Sequence, residues 1–136
     1  MPFSVALDGA GDVFITDWFN NNVVEVQQSQ PQALSFASTA VGAASAPQSV
    51  TVQNIGNQPL NATGLSVAAN FKQEPGSGTP EDCTSNVSLA DGASCNLSIV
   101  FTPYSTGLIS GSAVLTDNAL NSTSATQSIK LTGTGQ

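Results

Sequence analysis

Asn96-Leu97-Ser98-Ile99-Val100-Phe101-Thr102 is the stretch that decides the fold. Successive side chains of an extended chain point to opposite faces, so Leu97, Ile99 and Phe101 gather on one side. Four other segments share the habit. Gln48-Ser49-Val50-Thr51-Val52-Gln53-Asn54 sets Val50 and Val52 against Thr51 and Gln53. Ser112 to Thr116 offers Ala113 and Leu115, Ser128 to Thr132 offers Ile129 and Leu131, and Leu65 with Val67 makes a short strand after Gly64. Gly, Asn, Pro and Ser punctuate the intervals, and helical periodicity is nearly missing. Short strands recurring with turn signals between them predict an all-β chain built as a Greek-key sandwich.

Length and composition narrow the function. The chain has 136 residues, enough for one substantial core. Two Lys plus Arg stand against nine Asp plus Glu, a net charge of −7. Lys72 and Lys130 are the whole cationic inventory, too little to neutralise nucleic-acid phosphates or an anionic membrane. No histidine is present, which removes His-based acid–base catalysis, Ser-His-Asp and Cys-His nucleophiles, and the commonest metal ligand. No apolar run is long enough for a membrane helix, and the first residues lack the pattern of a signal peptide. A surface of Ser, Thr, Asn and Gln suits exported β proteins. The chain is either cytoplasmic or an internal piece of a longer exported protein, and the surface favours the second: an extracytoplasmic part (secreted, periplasmic or cell surface) of a precursor whose export signal lies elsewhere.

Composition shifts near residue 30. Before it lie Asp8, Asp12, Asp17, Trp18 and Glu25, and afterwards acidic residues thin out. We expect residues 1–27 as one piece, 28–32 as a linker and 33–136 as the sandwich. The first piece reads as three strands, Val5 to Leu7, Val13 to Thr16 and Val23 to Val26, with Asp8-Gly9 and Gly11 providing turn chemistry. Its order of apolar strand, Asp8-Gly9-Ala10-Gly11-Asp12, apolar strand, Asp17, then Asn20-Asn21-Asn22-Val23 resembles an NHL-type β-propeller repeat. That resemblance implies a partial propeller-blade β-meander, deprived of the neighbouring blades that would cover it.

Residues 33 to 135 carry a second resemblance. Leu34-Ser35-Phe36 with Val41-Gly42, Ser49 through Gly56, Gly92-Ala93-Ser94-Cys95, Val100-Phe101-Thr102-Pro103 through Gly107, and Leu131-Thr132-Gly133-Thr134-Gly135 resemble, in order, the Hydin/ASH-type immunoglobulin-like domain. This type is called choice-of-anchor D in bacteria and is related in shape to major sperm protein. The blocks are physically sensible: Asn54 and Gly56 end a strand in a turn, Pro103 withholds a ladder donor, and Gly107 lets the chain reverse. The resemblance implies an immunoglobulin-like sandwich, commonly repeated or appended to other extracellular modules, with no catalytic residues.

Candidate functional residues are few. Cys83 and Cys95, 12 positions apart around Asp91-Gly92, are suited to face each other across neighbouring strands as a disulfide, a loop closure worth about 3 kcal/mol. Two separate buried thiols are the alternative, and a metal site needs more ligands than two thiols. Asp8, Asp12 and Asp17 form a candidate calcium cluster, set against turn chemistry. Glu81 and Asp82 form a candidate acid–base pair, set against a solvated loop. Trp18 and Phe19 suggest an aromatic platform, set against packing on a neighbouring blade. Asn61, Asn86, Asn96 and Asn121 head glycosylation sequons.

These residues lead to a non-catalytic structural or interaction module of an exported bacterial multidomain protein, requiring no metal or cofactor. The alternatives are a carbohydrate- or peptide-binding module, and a His-free hydrolase relying on Asp, Glu, Ser or Tyr104. An uncovered apolar surface at Val13, Ile15, Trp18 and Phe19 predicts a homodimer through residues 3–27.

Overall fold

The computed structural model describes residues 2–7, 12–26 and 33–136. They belong to two compact units, one within residues 1–31 and the other within 32–136. Among the described residues the chain is all-β apart from one 3-10 turn at Ala119–Asn121. The expected linker at 28–32 and the Asp8-Gly9 and Gly11 turn lie outside the described residues.

The first unit is a three-stranded antiparallel meander of β1 (Pro2–Leu7), β2 (Val13–Asp17) and β3 (Asn22–Val26). Its register sets Val5 opposite Ile15 and Ile15 opposite Val24. Leu7 likewise stands opposite Val13, and Val13 opposite Val26. Directly opposed residues share a sheet face, so six aliphatic side chains form one grid. Phe14, Ala6 and Glu25 belong to the other face, with Ser4, Thr16 and Val23.

The second unit is an immunoglobulin-like sandwich. One sheet has the order β4 (Ala33–Ser35), β12 (Ala125–Gly135), β11 (Gly107–Asp117), β7 (Gly64–Val67). The facing sheet has the order β5 (Gln48–Gln53), β10 (Ser94–Phe101), β8 (Phe71–Gln73), and a small ribbon pairs β6 (Leu60–Asn61) with β9 (Ser88–Leu89). Between these strands the pairings are antiparallel except β4 with β12, where the first strand of the sandwich runs parallel to the last.

Alternation explains the core. Leu97, Ile99 and Phe101 of β10 are sealed from solvent against Leu131, Ile129 and Ala113 of the opposite sheet. Phe36, Phe71 and Phe101 form a tilted trio with ring centroids 5.1–6.0 Å apart, distances at which aromatic pairs attract beyond their buried area. The strands expected at Ser112–Thr116 and Ser128–Thr132 are the centres of longer ones, β11 and β12. The extra length of β11 includes Gly111, where an added Cβ would meet the Ala68 Cβ at 2.5 Å, so close packing there tolerates only glycine.

Asn54 closes the end of β5 as expected, and it does more than mark a turn. Buried, its amide donates to the carbonyls of Gln58 (2.8 Å) and Leu89 (3.0 Å), while its Oδ1 accepts the Gly56 N–H at 3.0 Å. One side chain thereby ties β5 to the β6–β9 ribbon. Gly107 has φ of 102°, the left-handed conformation its place at the start of β11 demands.

Candidate functional site

The edge of β10 opposite β5 is shared by two segments running in opposite directions. Near Phe101 it carries β8 antiparallel, with the Glu74 N–H donating to Ser98 O at 2.9 Å. Near Cys95 it carries Glu81 to Cys83 in the parallel sense, with Asn96 N–H donating to Glu81 O and Cys83 N–H to Asn96 O, each at 2.8 Å. The Gln73 amide joins the two by donating to Cys83 O at 2.8 Å. Cys83 and Cys95 are disulfide-bonded, with Cα atoms 4.9 Å apart and both residues buried. They do meet across neighbouring backbone, but the geometry is not a simple hairpin, since β9 leaves the intervening loop to pair with β6.

The loop between these segments folds over the outer face of β10. Asp82 accepts the Gly76 N–H on both carboxylate oxygens, at 3.0 and 3.2 Å. An added Cβ at Gly76 would strike the Asn96 side chain and approach Asp82 Oδ1 to 2.8 Å. Asn96 and Ser98, on the face of β10 opposite Leu97, Ile99 and Phe101, are consequently buried as well. Asn96 is thus shielded from glycosylation in the folded chain, whereas Asn61, Asn86 and Asn121 are exposed. Of the candidate acid–base pair in this loop, Glu81 is exposed and Asp82 is a structural tie.

Beside this loop lies an open groove of about 460 Å³. Leu65 and Val67 of β7 form one wall, and Gln73, Glu74, Asp82 and Cys83 contribute to the other. Glu74 makes a 2.9 Å ion pair with the exposed Lys72. Sequence reasoning placed Leu65 and Val67 in a strand without recognising that this strand is a sheet edge; only the strand order reveals that.

In the first unit, Asp12 and Asp17 sit at opposite ends of β2. At about 3.4 Å per residue they are roughly 17 Å apart, too far to share one cation. Asp17 caps the turn Trp18 to Asn21: its carboxylate accepts the Phe19 N–H at 3.1 Å and the Asn20 amide at 2.8 Å. The Asn20 side chain is the main cause that holds the Asp17 carboxyl below its ordinary value. Asp8 lies outside the described residues. Val13 and Ile15 share the aliphatic grid, while Trp18 and Phe19 project from the turn, 73% and 75% exposed. The expected surface is therefore two features, a grid of Val5, Leu7, Val13, Ile15, Val24 and Val26 and a separate aromatic turn.

Tyr104 is exposed, and its N–H donates to the Asn70 side chain at 2.8 Å. Asp117 was not foreseen as special. It is fully buried at the end of β11, where one oxygen accepts the Ala119 N–H at 2.9 Å and the other, Oδ2, has no hydrogen-bond partner among the described residues. Burial pushes its carboxyl above the ordinary value, while the Ala119 N–H and the Gln127 side chain act the other way.

This architecture is that of an ASH-type immunoglobulin-like domain. The ASH/PapD-like domain 7 of human CEP192 superposes with a TM-score of 0.57 at 17% identity, covering 79% of this chain and 82% of that one. The chain belongs to the Cep192 domain 4 family, whose model matches residues 26–136. The VesB protease of Vibrio cholerae aligns with a TM-score of 0.56 at 20% identity over 76% of this chain, but this chain spans only 30% of VesB. A Porphyromonas gingivalis W83 protein of unknown function aligns with a TM-score of 0.56 at 12% identity over 98% of this chain and 67% of that one. No curated protein matches the sequence.

Proposed function

We propose that the chain is a non-catalytic structural and interaction module of an exported bacterial multidomain protein, its sandwich acting as a spacer and contact surface. The observation that carries this reading is what the acidic side chains do. Asp82 spends both oxygens on a loop amide and Asp17 caps a turn, so the candidate acids serve the architecture. A disulfide supports an oxidising compartment. The N-terminal meander is part of an NHL-type propeller blade, and in the isolated chain its aliphatic grid and open strand edges bring two copies together.

The test is fractionation of the native host followed by alkylation. The reading expects the chain outside the cytoplasm with both cysteines protected from reagent. Recovery from the cytosol with two reactive thiols overturns export. Turnover of any hydrolase substrate that is lost in Asp82→Asn or Tyr104→Phe overturns the non-catalytic assignment.

A further inference from the structure

We propose that the outer edge of β7 accepts an extended peptide as an added strand, an aliphatic side chain seated in the groove and a basic one beside its acidic wall. This deepens the reading of the domain as an interaction module and rests on it.

The hydrogen-bond phase of the sheet identifies the edge. Ala68 N–H donates to Ser112 O at 3.0 Å, and the register runs Val67 opposite Ala113, Ser66 opposite Val114 and Leu65 opposite Leu115. Hydrogen-bonded pairs alternate along an antiparallel ladder, so Ser66 bonds β11 while the N–H and C=O of Leu65 and Val67 point to the open side. That side is where the groove lies. Natural edges are blunted by Lys, Pro, bulges or covering segments, yet Gly64-Leu65-Ser66-Val67 contains neither proline nor charge.

The outward groups of β5, at Ser49, Thr51 and Gln53, make a second open edge by the same phase argument. What distinguishes β7 is the groove along its open side. An added strand gains main-chain bonds from the edge and side-chain specificity from the pocket next to it. The pocket also fixes the chemistry of the occupant. Leu65 and Val67 supply an apolar wall, Glu74 and Asp82 supply carboxylates, and the chain as a whole carries −7, which draws in a cationic segment. The Lys72–Glu74 pair is exposed and weak, so it yields readily to an incoming lysine or arginine.

The test uses the full chain, isotope-labelled, titrated with the six-residue peptide Ser-Val-Ser-Lys-Ser-Val, whose valine and lysine side chains share one face of the added strand. Amide exchange at Leu65 and Val67 should slow by about tenfold or more at saturation, as each amide gains a partner. Two N-methylated versions of the peptide, one methylated at every serine and the other at the valines and lysine, should differ in affinity by about tenfold, since only one set of N–H groups can face β7. Glu74→Gln should weaken binding by several-fold and flatten its salt dependence. Equal effects of the two methylated sets, protection at Ser49, Thr51 and Gln53 in place of Leu65 and Val67, or no binding at about 1 mM peptide overturns the proposal. Concentration-dependent protection of Leu65 and Val67 without peptide also overturns it, assigning the edge to a second copy. None of these failures touches the non-catalytic reading, which only turnover would remove.

Discussion

Gly133 lies flat against the Phe101 ring: a Cβ built on it would stand 2.6 Å from ring carbon Cε1. The contact joins β12 to β10 through the centre of the sandwich, with no room for a methyl group. Gly133→Ala should destabilise the domain by about 1–3 kcal/mol, because overpacking a filled core forces side chains off their rotamers. Phe101→Leu in the same chain should recover part of the loss created by the methyl. Chemical denaturation of the two single variants and the double variant checks both, and additive losses would mean the two residues do not compete for that space.

Loss of the Asn54 side chain should be among the costliest polar changes. Asn54→Ala strips partners from the carbonyls of Gln58 and Leu89 and from the Gly56 N–H. With each buried orphan costing about 1–3 kcal/mol, a total of roughly 2–4 kcal/mol is expected after relaxation. The midpoint of urea unfolding would report it, accompanied by faster amide exchange in β6 and β9.

The Cys83–Cys95 bond predicts an intact mass about 2 Da below the fully reduced value, two hydrogens being lost. Its reduction should lower stability by about 3 kcal/mol without unfolding the chain, since the aromatic trio and the β10–β12 core remain. Two titratable thiols in natively folded, air-oxidised protein would contradict the first statement. Loss of all tertiary structure on reduction would contradict the second.

Asp117 gives the pH dependence a definite sign. Its native carboxyl is raised above the ordinary value of 3.8, so the folded chain holds that proton more tightly than the unfolded chain does. The charged form therefore costs stability at neutral pH. That cost fades as pH falls through the raised native value, and it is gone below the ordinary one. Asp117→Asn, which keeps an oxygen for the Ala119 N–H, should raise stability at pH 7 by on the order of 1 kcal/mol, with the gain shrinking on acidification. Thermal melts of both proteins from neutral to mildly acidic pH would show the curves converging; parallel curves would refute the assignment.

Light scattering of the full chain beside a version beginning at Gln30 tests self-association through the N-terminal meander. A dimer that becomes monomeric on truncation is expected. A monomeric full chain would mean that the aliphatic grid and open edges of β1 and β3 are too small to hold two copies together.

The alternation of Leu97, Ile99 and Phe101 was legible because a strand's period is local. So were the turns at Asn54 and Gly107, where backbone chemistry selects the residue. The burial of Asn96 and Ser98 was not legible, because it depends on a loop twenty residues earlier being drawn over them by Asp82 and Gly76. Asp117 next to Asn118 reads as an ordinary turn pair, and nothing local says that its carboxylate is sealed inside. In the first unit, hydrophobicity drew attention to Trp18 and Phe19, but register decides which side chains stand together, and it selected Val5, Leu7, Val24 and Val26. The groove beside β7 was hidden for the same reason as its open edge, since both depend on which strand lies last in its sheet.

The parallel pairing of β4 with β12 matters for how the domain carries load. Phe36, Thr39 and Val41 extend that pairing by donating to Thr132, Thr134 and Gln136, so the entering chain runs alongside the departing one. A pull on the two ends of the sandwich drags these segments past each other lengthwise, loading their hydrogen bonds together in shear where an antiparallel terminal pair would unzip one bond at a time. Beyond that patch, the cystine keeps residues 84–94 out of the stretched path even after the sheets part. Placed in a row of modules on a cell surface, the domain would act as a stiff link that yields late and lengthens only in part.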